Sequence, residues 1–127
     1  MKLLITGGAG YIGSHTVRIC QNLNFEVTVL DNFSTGHKSF VKDCEIFEVD
    51  LLDKSKLSKK LKNSKFDGVI HFAAKSLVGE SVKKPEIYYQ NNVVGTLNLL
   101  DEMLQNNIEN LVFSSTAAIF GSPIENK

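Results

Sequence analysis

A glycine-rich segment directly after a short apolar run is the feature that most constrains this chain. The run Lys-Leu-Leu-Ile-Thr ends at Thr6, and glycines follow in the overlapping patterns Gly8-x-Gly10-x-x-Gly13 and Gly7-x-x-Gly10-x-x-Gly13. In parallel α/β sheets, such a turn joins a buried strand to a helix whose N-terminal N–H groups face the pyrophosphate of a dinucleotide. A glycine turn without a ligand is the alternative. The strand before the turn and the helical pattern after it favour dinucleotide binding.

An acidic residue follows this turn at the distance expected of a ribose ligand. Asp31 lies 18 positions after Gly13 and ends a second apolar run. The carboxylate that binds the ribose hydroxyls in such folds lies roughly 20 residues beyond the glycines. The spacing therefore predicts that Asp31 is the ribose-binding carboxylate of a dinucleotide site.

Composition excludes several function classes. The chain has 127 residues, enough for one domain with a core, and its 14 basic residues balance 14 acidic ones. A net charge of zero gives no reason to expect nucleic acid or an anionic membrane as a partner. Cys20 and Cys44 form no CxxC pair, and the three histidines are scattered. We therefore expect no metal site, and a reducing, cytoplasmic location.

Apolar runs and helical patterns alternate along the whole chain, which is typical of βαβ units. The predicted strands cover residues 3–6, 26–30, 44–49, 67–73 and 110–115. Helices are expected over residues 11–23, after Asp53 through Leu61, and from Pro85 onward. The class predicted is α/β, with a Rossmann-type doubly wound parallel sheet truncated after about five strands.

The apolar spacing also predicts which helix faces turn inward. In the first helix these positions are Ile12, Ile19 and Leu23. In the long helix they are Val93, Leu97, Leu100 and Leu104, with Gly95 packed closely on the sheet.

Right-handed crossovers bring the carboxyl ends of parallel strands to one edge of the sheet. That edge is expected to collect the glycine turn, Asp31, Asp50 and the segments 72–74 and 114–116. Ligands bind at this edge in open α/β sheets, so segments distant in sequence predict one common site.

Six blocks of the sequence together resemble the extended short-chain dehydrogenase/reductase superfamily, and within it the UDP-glucose 4-epimerases of galactose metabolism. They are TGGAGYIGSH (6–15), DNFSTGH (31–37), VIHFAA (69–74), LVGESVKKP (77–85), YYQNNVVGT (88–96) and FSSTAAIFG (113–121). The first block is shared by many nucleotide-sugar enzymes. The run from VGES to NNVVGT followed by SSTAA is more particular to the epimerases.

This resemblance implies a set of cofactor-binding residues. The pyrophosphate would lie against Gly7, Gly10, Tyr11 and Ile12. The adenosine half would be bound by Asp31 at the ribose, with Asn32, Thr35 and Gly36 nearby, and by Asp50 and Leu51 beside the adenine. The middle of the cofactor would lie over Phe72, Ala73 and Ala74, and its nicotinamide side would face Asn91. Ser76 stands where some members carry a cofactor-binding lysine, and Lys75 is one position away. Thr116 matches the catalytic hydroxyl residue that contacts the reacting 4-hydroxyl of the sugar.

The base of the family, a tyrosine with a lysine four positions later, is absent from residues 1–127. Tyr11, Tyr88 and Tyr89 are followed at that spacing by His, Asn and Val. The resemblance therefore implies an N-terminal NAD-binding portion that lacks the sugar-binding domain and is inactive alone. The complete relative would interconvert UDP-glucose and UDP-galactose through a 4-keto intermediate, as a homodimer.

Two other functional interpretations remain. A nucleotide-sugar 4,6-dehydratase would carry an Asp-Glu pair directly after the Thr116 position, and a decarboxylase would carry a glutamate at the second position. This chain has Ala117 and Ala118 there. A non-catalytic dinucleotide-binding module would need no Tyr-x-x-x-Lys motif at all.

Overall fold

The structure is a computed structural model, and it describes residues 1–116, 119 and 121. Five parallel strands form one sheet in the order β3-β2-β1-β4-β5. The strands are β1 Lys2–Thr6, β2 Glu26–Asp31, β3 Glu45–Glu48, β4 Gly68–His71 and β5 Leu111–Phe113. The helices are α1 Tyr11–Asn22, α2 Lys54–Leu61, α3 Val78–Lys83, α4 Pro85–Tyr88 and α5 Gly95–Gln105. The predicted Rossmann-type α/β class is confirmed.

The central strand β1 has apolar side chains on both faces because both faces of the sheet are covered. Leu3 and Ile5 belong to the core beneath α1, whereas Leu4 belongs to the core on the opposite face, with residues of α2 and α5. Asp53 caps α2 as predicted, since its carboxylate accepts a hydrogen bond from the Lys56 N–H at 3.0 Å. Within the described residues, no helix has the length and apolar character needed to cross a membrane.

The inward face predicted for α1 is wrong. Ile12, Ile19 and Leu23 are 60%, 58% and 59% exposed, and the buried positions are Gly13, Val17 and Cys20. The glycine turn sets this phase, because a side chain on Gly13 would overlap the carbonyl oxygen of Gly7. Once Gly13 faces the turn, the positions four and seven residues later face the sheet.

The inward face predicted for the long helix is also wrong. Val93, Leu97 and Leu104 are exposed and Leu100 is only half-buried, whereas α5 buries Gly95, Leu99, Glu102 and Met103. The helix is not continuous either: α4 is followed by a π-helical turn, Tyr89–Val94, before α5 begins. A π-turn rotates the following residues relative to an α-helix, so α5 presents another face. Gly95 packs closely as expected, but against Leu51 in the loop after β3.

Candidate cofactor site

The glycine turn is sterically confined at the carboxyl end of β1. Gly7 has φ of +68°, and a Cβ there would lie 2.6 Å from the backbone nitrogen of Ala73. The turn closes with a hydrogen bond from the Gly10 N–H to the Gly7 carbonyl at 3.1 Å. Neither Gly7 nor Gly13 has room for a side chain, so the turn and the loop after β4 are in direct backbone contact.

Helix α1 begins immediately after this turn, with Gly10 at the N-cap position. Because Gly10 has no side chain, the N–H groups of the first helical turn receive no capping hydrogen bond from that position. Such N–H groups bind phosphate oxygens well. Tyr11 and Ile12 are exposed in this first turn, at the place the sequence predicts for the pyrophosphate.

Asp31 lies at the end of β2 and is buried beside the glycine turn. Its Oδ2 accepts a hydrogen bond from the Ala9 N–H at 2.9 Å, and its Oδ1 accepts one from the Phe33 N–H at 2.8 Å. Each carboxylate oxygen has a second lone pair that can accept a ribose hydroxyl. Asp31 therefore also ties the glycine turn to the loop after β2, a role that the sequence spacing did not indicate.

The loop after β2 holds Ala9 at two further points. The His37 N–H donates to the Ala9 carbonyl at 3.0 Å, and a Cβ on Gly36 would lie 2.9 Å from the Ala9 carbonyl carbon. Thr35, predicted near the ribose, is exposed in the same loop. The contact with Ala9 explains the glycine at position 36.

Beyond Asp31 the edge opens into a pocket of about 350 Å³. Its lining residues are Asn32, Ser34, Asp50, Leu52, Lys75, Glu86, Ile87, Gln90 and Asn91. Asn32 donates to the Asp50 carboxylate at 2.8 Å, which fixes both side chains on one wall. Leu51 lies apart from these residues, because its side chain is in the core. The structure thus brings three of the predicted residues, Asn32, Asp50 and Asn91, to one pocket.

Apart from Asn91, the residues that α4 and the π-turn contribute to this pocket were not predicted from the sequence. Glu86 and Gln90 are four residues apart, so a helix places them on one face, and Ile87 lies beside them. The helix start at Pro85 was the available signal, but nothing in the spacing indicated which strand end the helix faces. Lys75 lines the pocket, whereas Ser76 is exposed outside it.

The loop after β4 forms the other half of the edge. The Phe72 N–H donates to the Thr6 carbonyl at 2.8 Å, and the Ala74 N–H donates to the Phe72 carbonyl at 2.7 Å. The Asn91 amide donates to the Ala73 carbonyl at 3.4 Å. The predicted residues Phe72, Ala73, Ala74 and Asn91 therefore belong to one connected segment.

Thr116 follows β5 at the same edge. The Ser114 N–H donates to the His71 carbonyl at 3.2 Å, which ties the segment after β5 to the end of β4. The Thr116 side chain is exposed, and its carbonyl accepts from the Ile119 N–H at 3.4 Å. Ala117 and Ala118, which bear on the dehydratase reading, lie outside the described residues.

A glycine turn, an uncapped helix start and a buried carboxylate at neighbouring strand ends define a dinucleotide-binding domain of the Rossmann type. A family model described as the NAD dependent epimerase/dehydratase family matches residues 3–127. The chain belongs to this family.

Curated relatives and solved structures agree with this placement. UDP-glucose 4-epimerase of Halalkalibacterium halodurans is 49% identical over 125 residues, which are 98% of this chain and 37% of that protein. UDP-glucose 4-epimerase of Corynebacterium glutamicum is 50% identical over 124 residues, again 37% of its length. The structure of UDP-glucose 4-epimerase from Brucella ovis in complex with NAD superposes with a TM-score of 0.89 at 43% identity, covering 98% of this chain and 38% of that one. The chain thus spans less than two-fifths of the length of these relatives.

Proposed function

We propose that this chain is the NAD-binding portion of a UDP-glucose 4-epimerase. The main support is the sterically confined glycine turn, whose Ala9 N–H donates a hydrogen bond to the buried carboxylate of Asp31. This geometry occurs in a chain that is 49% identical to a UDP-glucose 4-epimerase. Residues 1–127 are then the N-terminal part of the Rossmann domain. Apart from Thr116, most of the sugar-binding residues are then expected outside this range.

The residues present fit a dinucleotide. The absent side chains of Gly7 and Gly13 let the turn pack closely against the loop after β4 and the start of α1. The first turn of α1 offers N–H donors for the pyrophosphate. Asp31 has free lone pairs for two ribose hydroxyls and a charge that disfavours a 2′-phosphate, which supports NAD over NADP. When bound, NAD would accept a hydride from C4 of the sugar and later return it. Thr116 is proposed to orient the sugar's 4-hydroxyl, with Asn91 on the nicotinamide side and the loop 72–74 under the middle of the cofactor.

The chain alone is proposed to lack epimerase activity because it has no tyrosinate base. Tyr88, one of the three tyrosines, is unsuited to that role. Its hydroxyl oxygen lies 2.9 Å from both the Leu77 carbonyl and the Glu80 carboxylate, which share its single proton. Partial desolvation and the hydrogen bond to Glu80 raise the pKa of Tyr88 above its ordinary value, which opposes proton abstraction.

The partners follow from the same proposal. The complete enzyme would bind a UDP-sugar and form a homodimer in the cytoplasm. Relatives of known structure include an epimerase from Bifidobacterium longum in complex with NAD+ and UDP, with a TM-score of 0.89. A non-catalytic dinucleotide-binding module remains the second candidate, favoured by the missing Tyr-x-x-x-Lys motif.

Calorimetric titration with NAD and NADP tests the cofactor assignment. We expect the wild type to bind NAD more tightly, and Asp31→Asn to lose at least tenfold in NAD affinity, the worth of a charge-assisted hydrogen bond. Asp101→Asn is the control, since this carboxylate pairs with Lys54 on the surface instead of lying at the site. Equal affinity of the wild type for both cofactors would contradict the assignment.

Incubation with UDP-galactose and excess NAD tests the activity statement. We expect no UDP-glucose to form with the chain alone. Turnover of about 1 s⁻¹ or faster, an ordinary enzymatic rate, would show that the chain contains another base.

A further inference from the structure

We propose that His71 is a positioning residue of the cofactor site, which acts through Thr96 and Asn92 to hold the loop after β4 beneath the middle of the cofactor. The inference rests on the proposed function, because it concerns the placement of the same cofactor. It adds a residue that touches neither cofactor nor sugar.

His71 links the sheet to α5 at the edge where the site lies. It is the last residue of β4 and is 3% exposed. Its Nδ1 lies 2.5 Å from the hydroxyl of Thr6, at the end of β1. Its Nε2 lies 3.0 Å from the hydroxyl of Thr96, in the first turn of α5. The imidazole of β4 thus connects to β1 and to α5 through two hydrogen bonds.

The direction of these hydrogen bonds follows from the single proton of each hydroxyl. The Thr96 hydroxyl donates to the Asn92 carbonyl at 2.7 Å, so toward His71 it accepts. Nε2 must then carry the proton, and Nδ1 accepts from Thr6. Burial lowers the pKa of His71, which keeps the ring in this neutral form near pH 7.

The π-turn carries the connection from Thr96 to the site. Asn92 lies in this turn, and its amide makes two hydrogen bonds to one residue of the loop after β4. Its Oδ1 accepts from the Lys75 N–H at 2.8 Å, and its Nδ2 donates to the Lys75 carbonyl at 2.9 Å. Both backbone groups of Lys75 are therefore fixed by a side chain whose own backbone is held by Thr96.

The loop held in this way is also the one that packs against the glycine turn. The backbone of Ala73 occupies the space where Gly7 would carry a side chain. Asn91 adds a hydrogen bond to the Ala73 carbonyl and another to the Oδ1 of Asn92, at 2.8 Å. The loop is thus fixed on one side by backbone contact and on the other by the hydrogen bonds that begin at His71. A shift on the second side moves the surface on which the cofactor's middle lies.

The test compares Thr96→Val, which removes the hydroxyl at nearly constant volume, with Thr96→Ser, which retains it. We expect Thr96→Val to weaken NAD binding about tenfold, the worth of one hydrogen bond, and Thr96→Ser to bind like the wild type. Binding of AMP, which reaches only the adenosine half, is expected to stay unchanged in both variants. Equal losses for NAD and AMP, or no loss of NAD affinity in Thr96→Val, would overturn the positioning role.

Amide hydrogen exchange at Lys75 distinguishes a local loosening of this loop from a general loss of stability, which would speed exchange throughout the protein. We expect faster exchange at this amide in Thr96→Val than in Thr96→Ser. Exchange at the Leu57 N–H, which donates to the Asp53 carbonyl at the N-cap of α2, is expected to stay unchanged. His71→Gln keeps an N–H donor near the Nε2 position and is expected to preserve slow exchange, whereas His71→Leu is expected to lose it. Unchanged exchange in both Thr96→Val and His71→Leu would overturn the inference. A wild type that binds no NAD would instead overturn the proposed function, and the Lys75 exchange would still decide whether His71 positions the loop.

Discussion

The two halves of the carboxyl edge are held in different ways. In the glycine half, backbone meets backbone: Gly7 lies against Ala73, Gly13 against Gly7, and Gly36 against Ala9. In the histidine half, which comprises His71, Thr96, Asn92 and the loop 72–76, side-chain hydrogen bonds fix the backbone. In the glycine half, any added side-chain atom overlaps backbone. In the histidine half, a substitution removes one or two hydrogen bonds and leaves the others in place. The first half should therefore fail abruptly on substitution and the second half by degrees.

The largest effect is expected from Gly13→Ala. The new methyl group would overlap the Gly7 carbonyl oxygen and lie 2.8 Å from the Cα of Gly8, both backbone atoms that cannot move aside cheaply. We expect a loss of about 3 kcal/mol in the free energy of unfolding, the upper range for overpacking, and no measurable NAD binding. Gly79→Ala is the control, because a Cβ there meets nothing within 4 Å. Urea denaturation and calorimetry measure both quantities, and similar behaviour of the two variants would contradict the steric account.

A moderate effect is expected from Asn92→Ala in the histidine half. The change leaves the N–H and the carbonyl of Lys75 without their partner, at a cost of about 1–3 kcal/mol for a group that stays unsatisfied. We expect reduced stability together with NAD affinity lowered about tenfold.

Gln21→Ala is the matched control for that variant. The Gln21 amide also bonds backbone carbonyls, those of Lys42 and Asp43, but at the end of α1 away from the site. Its loss should lower stability slightly and leave NAD binding unchanged. If both variants weakened NAD binding equally, the difference between the two halves would reduce to general destabilisation.

The glycine half could be predicted from the sequence because its constraints are local. Turn, helix start and strand-terminal Asp31 all follow from spacing, and the sheet follows from the alternation of apolar runs and helices. The helix phases could not be predicted, because α1 and α5 carry apolar residues on their exposed sides as well. Val17 and Ile19 look alike in sequence, and only the contact of Gly13 with the turn decides between them. The histidine half depends on a π-turn and on contacts between residues 65 and 25 positions apart, which no local pattern signals.

The two halves also differ in how the sheet is covered beside them. In β2, Val27, Val29 and Leu30 are buried, whereas Val112 in the edge strand β5 is 62% exposed. Exposed apolar edge strands recruit other chains, so we expect the isolated chain to self-associate. Val112→Lys should shift the association constant several-fold toward monomer, since a charge on an edge strand opposes pairing.

Light scattering across a dilution series measures this shift. Leu23→Lys is the control, because Leu23 is 59% exposed but lies at the C-cap of α1 and not in a strand. Wild-type chain that stays monomeric at high concentration would contradict the expectation. An equal response to both lysine substitutions would mean that exposed apolar area alone, and not the strand edge, drives association.

The smallest effect concerns the proton of His71. The side chains that contact its ring, Thr6, Thr96 and Phe113, are uncharged, and burial lowers its pKa below the ordinary value of 6.5. Above that value both the folded and the unfolded chain hold a neutral ring, so the stabilisation is complete. As the pH falls below it, the unfolded chain gains a proton that the folded chain does not bind. The free energy of unfolding therefore declines until the pH passes the lowered folded pKa, where both states are protonated.

Replacement of the titrating ring isolates this contribution. His71→Gln should give a flatter dependence of unfolding free energy on pH between about pH 7.5 and pH 5, as measured by urea denaturation. The effect is small because only one proton is involved, and it reports on the histidine half because His71 belongs to that half. Parallel profiles for the wild type and His71→Gln would mean that the folded chain accepts the proton without loss. In that case Thr96 could keep its place when the ring is charged, and the histidine half would be held by packing instead of by the hydrogen bonds of a neutral imidazole.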